Sequence, residues 1–105
     1  MLPSGLIRED LKNFPFGAYK NNPGQVTISS SQTTLVVPGN VFRRGVTLKN
    51  IDAAIVIYIV AAGATVTTSG FPLKAGESIS LDTVGPVFAL AASGSPLMAF
   101  IETSN

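Results

Sequence analysis

Short segments in which apolar and polar residues alternate follow one another along most of the chain. In QVTISS (25–30), Val and Ile alternate with Thr and Ser, and the same period recurs in GVTLKN (45–50) and ESISL (77–81). Successive side chains of a β-strand point to opposite faces, so this period is typical of a sheet with one buried and one solvated face. Turn residues, as in PGN (38–40) and SGSP (93–96), separate the segments.

The pattern predicts about eight short strands and no long helix after residue 25. In chain order, the predicted strands are 25–30, 33–37, 45–50, 54–60, 65–68, 77–81, 86–91 and 97–102. Many short strands separated by turn signals are typical of two packed antiparallel sheets. The predicted fold class is therefore all-β: an antiparallel β-sandwich of the jelly-roll or immunoglobulin-like kind, formed by residues 25–105.

The first 24 residues differ in composition, with three prolines and three glycines that leave no room for a long regular element. We predict an N-terminal extended arm, residues 1–24, with one short helical turn from Ser4 and a boundary near Pro23-Gly24. The arm is too rich in large apolar groups to be a solvated tail, so it should pack either on its own domain or on a neighbouring subunit. Its candidate interface residues are Leu6, Ile7, Leu11, Phe14, Phe16 and Tyr19.

The segment AAIVIYIVAAGA (53–64) is apolar on every side except for the hydroxyl of its tyrosine. It is too short for a membrane-spanning helix, which needs about 20 apolar residues, and its β-branched residues favour a strand. One set of alternate residues should enter the core, namely Ile55, Ile57 and Ile59. The other set, Val56, Tyr58 and Val60, needs a cover that could come from a sandwich corner, from the arm or from another subunit. We include this second set among the candidate interface residues.

Charge and composition narrow the classes of partner. Seven basic and six acidic residues give a net charge of +1, and without a dense basic stripe nucleic acid is not an expected partner. A membrane is not expected either. The chain lacks cysteine, which removes disulfides and thiolate metal sites. The adjacent pair Arg43-Arg44 fits either the solvated end of an edge strand or contact with an acidic partner, and both residues are candidate interface residues.

The residues needed for catalysis are sparse. Histidine is absent as well as cysteine, so a nucleophile would lack its ordinary imidazole base. Asp52, Glu77 and Asp82 could supply an acid pair of the kind used in glycoside hydrolysis, but each sits beside a turn or strand end, where solvated carboxylates are ordinary. We expect no enzymatic activity, no cofactor and no metal. Charged residues within the first twelve positions argue against a secretion signal, so we expect synthesis in the cytoplasm.

A resemblance rests on four segments: RRGVTLKN (43–50), YIV (58–60), VTTSGFPLKAGESISLD (66–82) and GPVFALAASGSPLMAFIE (85–102). Together they resemble small all-β virion proteins of tailed bacteriophages, the capsid decoration or cement proteins and head-fibre base domains. The resemblance implies a sandwich that self-associates as a dimer or trimer and sits on the capsid surface of the virion, bound to major capsid protein subunits. The alternative expectation is a carbohydrate-binding module of a phage tail or fibre, for which Tyr19 and Tyr58 are the available amphipathic rings.

Overall fold

The computed structural model describes residues 20–105, which form eight strands and no helix. The all-β prediction is confirmed. In chain order the strands are β1 (Lys20–Thr27), β2 (Thr34–Val37), β3 (Arg43–Asn50), β4 (Ile57–Val60), β5 (Phe71–Leu73), β6 (Ser78–Leu81), β7 (Val87–Ala91) and β8 (Leu97–Ser104).

The strands pair into two antiparallel four-stranded sheets, a first sheet of order β1-β8-β3-β6 and a second of order β2-β7-β4-β5. Every connection between consecutive strands passes from one sheet to the other, except that between β4 and β5. An immunoglobulin-like sandwich keeps more of its consecutive strands paired in the same sheet. The observed order is therefore that of a jelly roll, which decides between the two predicted architectures.

Strand β1 begins at Lys20, five residues before the predicted strand, so the boundary predicted near Pro23-Gly24 falls inside it. Proline is tolerated here because β1 is at the edge of its sheet, where a missing N–H need not break a ladder. The ring of Phe100, the cross-strand partner of Gly24, fills the space over that glycine; a Cβ there would lie 2.6 Å from Phe100 Cζ. Packing against Phe100 of the neighbouring strand thus extends β1 through Pro23 and Gly24, residue types that usually interrupt a strand.

The predicted strand at 65–68 is wrong, because those residues lie in the loop between β4 and β5. The fifth strand is Phe71–Leu73, which lies between the predicted strands 65–68 and 77–81, where no strand was predicted. Its Pro72 is opposite Tyr58, again on an edge strand. An alternating pattern fits a strand whether or not a neighbouring strand can pair with it. Here the segment that pairs with β4 is Phe71–Leu73 and not 65–68.

The two sheets enclose one apolar core. Its buried members are Ile28, Val36, Val37, Val46, Leu48, Ile57, Leu73, Val87, Ala89, Ala91 and Met98. The outer face of the first sheet is mainly polar, as predicted from the alternation. On that face the hydroxyls of Thr47 and Ser80 are 2.9 Å apart, with Lys49 exposed beside them.

The outer face of the second sheet is apolar and is partly covered by the chain itself. Tyr58 is opposite Leu90 on this face, and Leu90 is only 1% exposed although it is not part of the core. The cover is the loop of residues 61–70, part of which lines a small cleft with Leu90. The Thr33 hydroxyl donates a hydrogen bond to the Ala64 carbonyl and so ties this loop down. Loop 61–70 thus covers part of the apolar strand, and Val56, Tyr58 and Val60 are half-buried.

At Gly70, loop 61–70 lies close to strand β4 of the second sheet. A Cβ at this position would lie 2.8 Å from both Tyr58 Cβ and Val60 Cγ1, and 3.1 Å from the Ile59 carbonyl. We expect Gly70→Ala to lift the loop and to lower the free energy of unfolding by about 1–3 kcal/mol, measured by urea denaturation. Gly45→Ala is the matched control, since its Cβ would meet nothing closer than 3.6 Å. Equal stability of the two variants would contradict this packing.

Candidate interaction surface

A buried arginine organises one end of the sandwich. Arg43 Nε donates a 2.6 Å hydrogen bond to Glu102 Oε2, which makes a salt bridge. Its Nη1 donates to the carbonyls of Thr83 at 2.8 Å and Gly85 at 2.7 Å, and its Nη2 donates to the Pro38 carbonyl. The arginine side chain is 0% exposed. One guanidinium therefore joins β3 to β8 and to the two loops that follow β2 and β6.

A β-bulge explains why Arg43 points inward. Arg43 is opposite Ser104 while Gly45 is opposite Thr103, so β3 has one extra residue, Arg44, at this position. An extra residue reverses the alternation for everything before it, and Arg43 thereby reaches the inner face that also carries Glu102.

The prediction that Arg43 is a solvated side chain on an edge strand is wrong. Strand β3 lies between β8 and β6, and the guanidinium is enclosed by its own domain, where it is not available to an acidic partner. A signal was present in the sequence. Glu102 is an acid at an inward-facing position of an otherwise apolar strand, and a buried carboxylate requires a cation. Arg44, by contrast, is exposed and donates to the Asn105 side chain at 3.2 Å, so it remains a candidate interface residue.

The two loops held by Arg43 display apolar side chains to solvent. Val41 is 78% exposed and Phe42 is 64% exposed, both in the loop after β2. Val84, exposed in the loop after β6, is adjacent because its carbonyl accepts a 2.8 Å hydrogen bond from the Asn40 N–H. We call Val41, Phe42 and Val84 the apolar tip.

A second apolar surface crosses the outer face of the second sheet. Leu35 is opposite Phe88, and Phe88 is opposite Val60, so the three side chains form a continuous row across β2, β7 and β4. Leu35 is exposed while Phe88 and Val60 are half-buried. We call Leu35, Phe88 and Val60 the outer row; Val66 of loop 61–70 is 60% exposed above the same face. Val60 was predicted from sequence, whereas Leu35 and Phe88 were missed because their row forms only through strand pairing.

A buried amide at the opposite end of β3 was also missed. Asn50 Nδ2 donates to the carbonyls of Ile55 and Leu73, each at 2.8 Å, and its Oδ1 accepts from the Asp52 N–H at 3.0 Å. These bonds join β3 to β5 and to the loop before β4. Asn50 is completely buried, and its role is structural.

The three acids considered for catalysis are not brought together. Asp52 Oδ2 accepts hydrogen bonds from the N–H groups of Ile55 at 2.7 Å and Ala54 at 2.9 Å, and Glu77 accepts one from the Lys74 N–H at 2.7 Å. Both carboxylates thus cap turns at the Asn50 end. Asp82 follows β6 at the other end of the sheet, away from Asp52 and Glu77. Within residues 20–105, no three acids cluster in a way that could hold a metal ion.

The six candidate interface residues of the arm lie outside the described residues. Across residues 20–105 there is also no helix with the length and hydropathy that a membrane span requires.

No protein-family model matches the sequence, and no curated protein matches it. A solved structure of Bacillus endospore appendages, reported as a novel family of disulfide-linked pili, is similar with a TM-score of 0.48. The likeness covers 83% of this chain and 86% of that chain at 12% sequence identity. A likeness this distant carries no information about function.

The Arg43–Glu102 pair can be tested by a double-mutant cycle. Arg43→Leu leaves the buried Glu102 carboxylate and three carbonyls without their partner, so we expect a loss of about 3–5 kcal/mol in unfolding free energy. Glu102→Leu should also be costly, whereas the double variant should lose less than the sum of the two. Urea denaturation measures the unfolding free energy of the wild type, the two single variants and the double variant. Lys49→Leu, at an exposed position of the same strand, should change stability by no more than ~0.5 kcal/mol. Strictly additive losses would show that the pair is not coupled.

The backbone hydrogen bonds to the Asp52 carboxylate predict that the stability of the fold depends on pH. Hydrogen bonds from the backbone N–H of Ile55, and then of Ala54, lower the pKa of Asp52 below its ordinary value of 3.8. Because the folded state favours the ionised form, this contribution is present above pH 3.8 and is lost as the pH falls through the lowered pKa. We expect the stability difference between wild type and Asp52→Asn, which does not titrate, to change in favour of the variant below pH 3.8. A difference that stays constant from neutral pH into this acid range would contradict the assignment.

Proposed function

We propose that this chain is a structural virion protein that decorates or cements the capsid of a tailed bacteriophage. In this proposal it binds major capsid protein subunits at the capsid surface, as a homo-oligomer, after synthesis in the host cytoplasm. The observation that carries the proposal is the outer row on a rigid sandwich, with Val66 exposed above it. Contiguous apolar surface on a small domain is typical of a protein–protein contact.

The energies favour many weak contacts over one strong one. Burying each side chain of the outer row contributes roughly 1.5–3 kcal/mol, and part of that is already gained where Phe88 and Val60 are half-buried. Association costs an estimated 4–15 kcal/mol before any net affinity appears. The outer row alone therefore supports a weak interface, which becomes effective when several copies act across the seams of a shell. Binding only to the assembled state then stabilises that state by mass action.

Three of the four sheet edges, those of β1, β5 and β2, also favour association through faces. Pro23 interrupts the exposed edge of β1, Pro72 does so in β5, and β2 carries a bulge between Leu35 and Val37. Prolines and bulges at edges discourage the addition of foreign strands. A protein present in many copies benefits from edges that resist strand addition, because its contacts are then made by side chains on the sheet faces and not by backbone groups at the edges.

The carbohydrate-binding alternative gains no support from the described residues. Tyr58 is half-buried and therefore offers less ring surface than an exposed aromatic platform would. Tyr19 lies outside the described residues.

Self-association can be measured by light scattering over a range of protein concentrations. We expect the wild-type chain to form a dimer or trimer, and Leu35→Ser/Val66→Ser to weaken it by at least about tenfold, because both side chains lose apolar contact area. Lys49→Ser, on the outer face of the first sheet, is the control and should leave the mass unchanged. A wild-type chain that stays monomeric at high micromolar concentration would remove the homo-oligomer from the proposal.

The virion location requires a separate experiment. Purified virions of the phage that carries this gene should contain the chain by mass spectrometry, and immunogold labelling should place it over the heads. A chain found only in the soluble fraction of infected cells, or label confined to the tails, would overturn the decoration proposal.

A further inference from the structure

Strand β6 differs from the other three edge strands of residues 20–105 because it carries neither a proline nor a bulge. Its sequence is SISL, and it pairs with β3 without a register shift. The other edges are interrupted by Pro23 in β1, by Pro72 in β5 and by the bulge between Leu35 and Val37 in β2. A regular edge strand without charged side chains is a template to which a further strand can be added.

A hydrogen bond at the start of β6 determines which of its backbone groups face outward. The Asn50 N–H donates to the Glu77 carbonyl at 2.9 Å, so the residue just before β6 bonds to β3. Backbone groups of successive residues in an antiparallel ladder point to opposite sides, so Ile79 also bonds to β3. The N–H and C=O groups of Ser78 and Ser80 therefore point away from β3, toward the open edge.

The outward groups of Ser78 and Ser80 are not covered in the part of the chain that the structure describes. Both residues are exposed, and no backbone group of a loop within residues 20–105 bonds to either of them. Their side chains are small and uncharged, and the Ser80 hydroxyl is already paired with that of Thr47 at 2.9 Å. A further strand thus has room to approach to the ordinary spacing of about 4.8 Å.

We propose that β6 pairs antiparallel with β6 of a second copy, which joins two four-stranded sheets into one sheet of eight strands. A two-fold axis at Ile79 places Ser78 opposite Ser80 of the second copy. Both such pairs are then of the hydrogen-bonded kind, in which the two residues exchange two backbone bonds.

A second copy is the occupant that this edge specifies. Two identical strands in antiparallel order are self-complementary, so the contact closes at two copies. The contact is separate from the outer row, which lies on the other sheet, and so it goes beyond the proposed function. Because β6 has only four residues, the pairing is weak and is expected at high protein concentration.

Amide hydrogen exchange, followed by NMR, tests the pairing residue by residue. It is measured on the full-length Leu35→Ser/Val66→Ser protein, in which contact through the outer row is weakened, from micromolar to millimolar concentration. We expect exchange of the Ser78 and Ser80 amides to slow by at least about threefold as the mass from light scattering rises from monomer toward dimer. The Ile79 amide, which bonds to β3, is the internal reference and should exchange slowly throughout.

A proline at the first position of β6 gives a mutational test in the same background. Ser78→Pro removes the outward N–H without removing a bond to β3, and proline is tolerated at the first residue of a strand. Ser78→Ala is the matched control, because it loses the same hydroxyl and keeps the N–H. We expect the proline variant to remain monomeric up to millimolar concentration and the alanine variant to pair like its parent. If Ser78→Pro fails to fold, the exchange measurement decides by itself.

Three results would overturn the inference. The first is rapid exchange of Ser78 and Ser80 in a protein with the mass of a dimer, because the copies would then meet elsewhere. The second is a protein that stays monomeric at millimolar concentration. The third is slow exchange of these two amides in the monomer, because the edge would then be covered by its own chain. None of these results depends on the virion experiment, so the inference and the proposed function can fail separately.

Discussion

The salt bridge between Arg43 and Glu102 is the interaction on which one end of this jelly roll depends. Removing two charges from water costs several kcal/mol per ion, and only good geometry with further hydrogen bonds compensates for that cost. Here the guanidinium also donates to the carbonyls of Pro38, Thr83 and Gly85. Within residues 20–105, no buried side-chain nitrogen or oxygen lacks a partner. The hydrogen bonds of the pair are directional and therefore hold the two loops in one arrangement. An apolar pair of the same volume would make no directional bonds to these carbonyls.

Strand β3 carries the polar anchors of both ends. Arg43 opens the strand and gathers the loops after β2 and β6, while Asn50 closes it and gathers β5 and the loop before β4. Between them, Val46 and Leu48 are buried in the core. Because β3 is an interior strand of its sheet, these anchors are attached to the part of the fold least able to move. The domain thus holds its loops in place by hydrogen bonding rather than by cysteine bridges.

Local sequence patterns were enough to predict the fold class and seven of the eight strands, because alternation in some segments and runs of β-branched residues in others are properties of each segment by itself. Features that depend on strand pairing could not be predicted from the sequence. Phe71–Leu73 forms a strand through its pairing with β4. Arg43 faces inward because of a single bulge residue, Arg44. Likewise, Leu90 is buried outside the core only because loop 61–70 folds over its face. Val60 was accessible to prediction as an outer-face residue, whereas the row that it forms with Phe88 and Leu35 required the register.

The same rigidity explains how apolar side chains remain on the surface of so small a domain. Exposed apolar residues on a loosely held loop would turn inward and bury themselves, but the backbone of the tip is bonded to Asn40 and Asn105. The Arg43 guanidinium holds the neighbouring carbonyls of Pro38, Thr83 and Gly85 in the same two loops. The outer row is held by the ladder between β2, β7 and β4. In the proposed function the outer row is the surface that contacts other subunits. Because three of the four sheet edges carry a proline or a bulge, contact through this face is favoured over strand addition at those edges, which restricts the ways in which copies can associate.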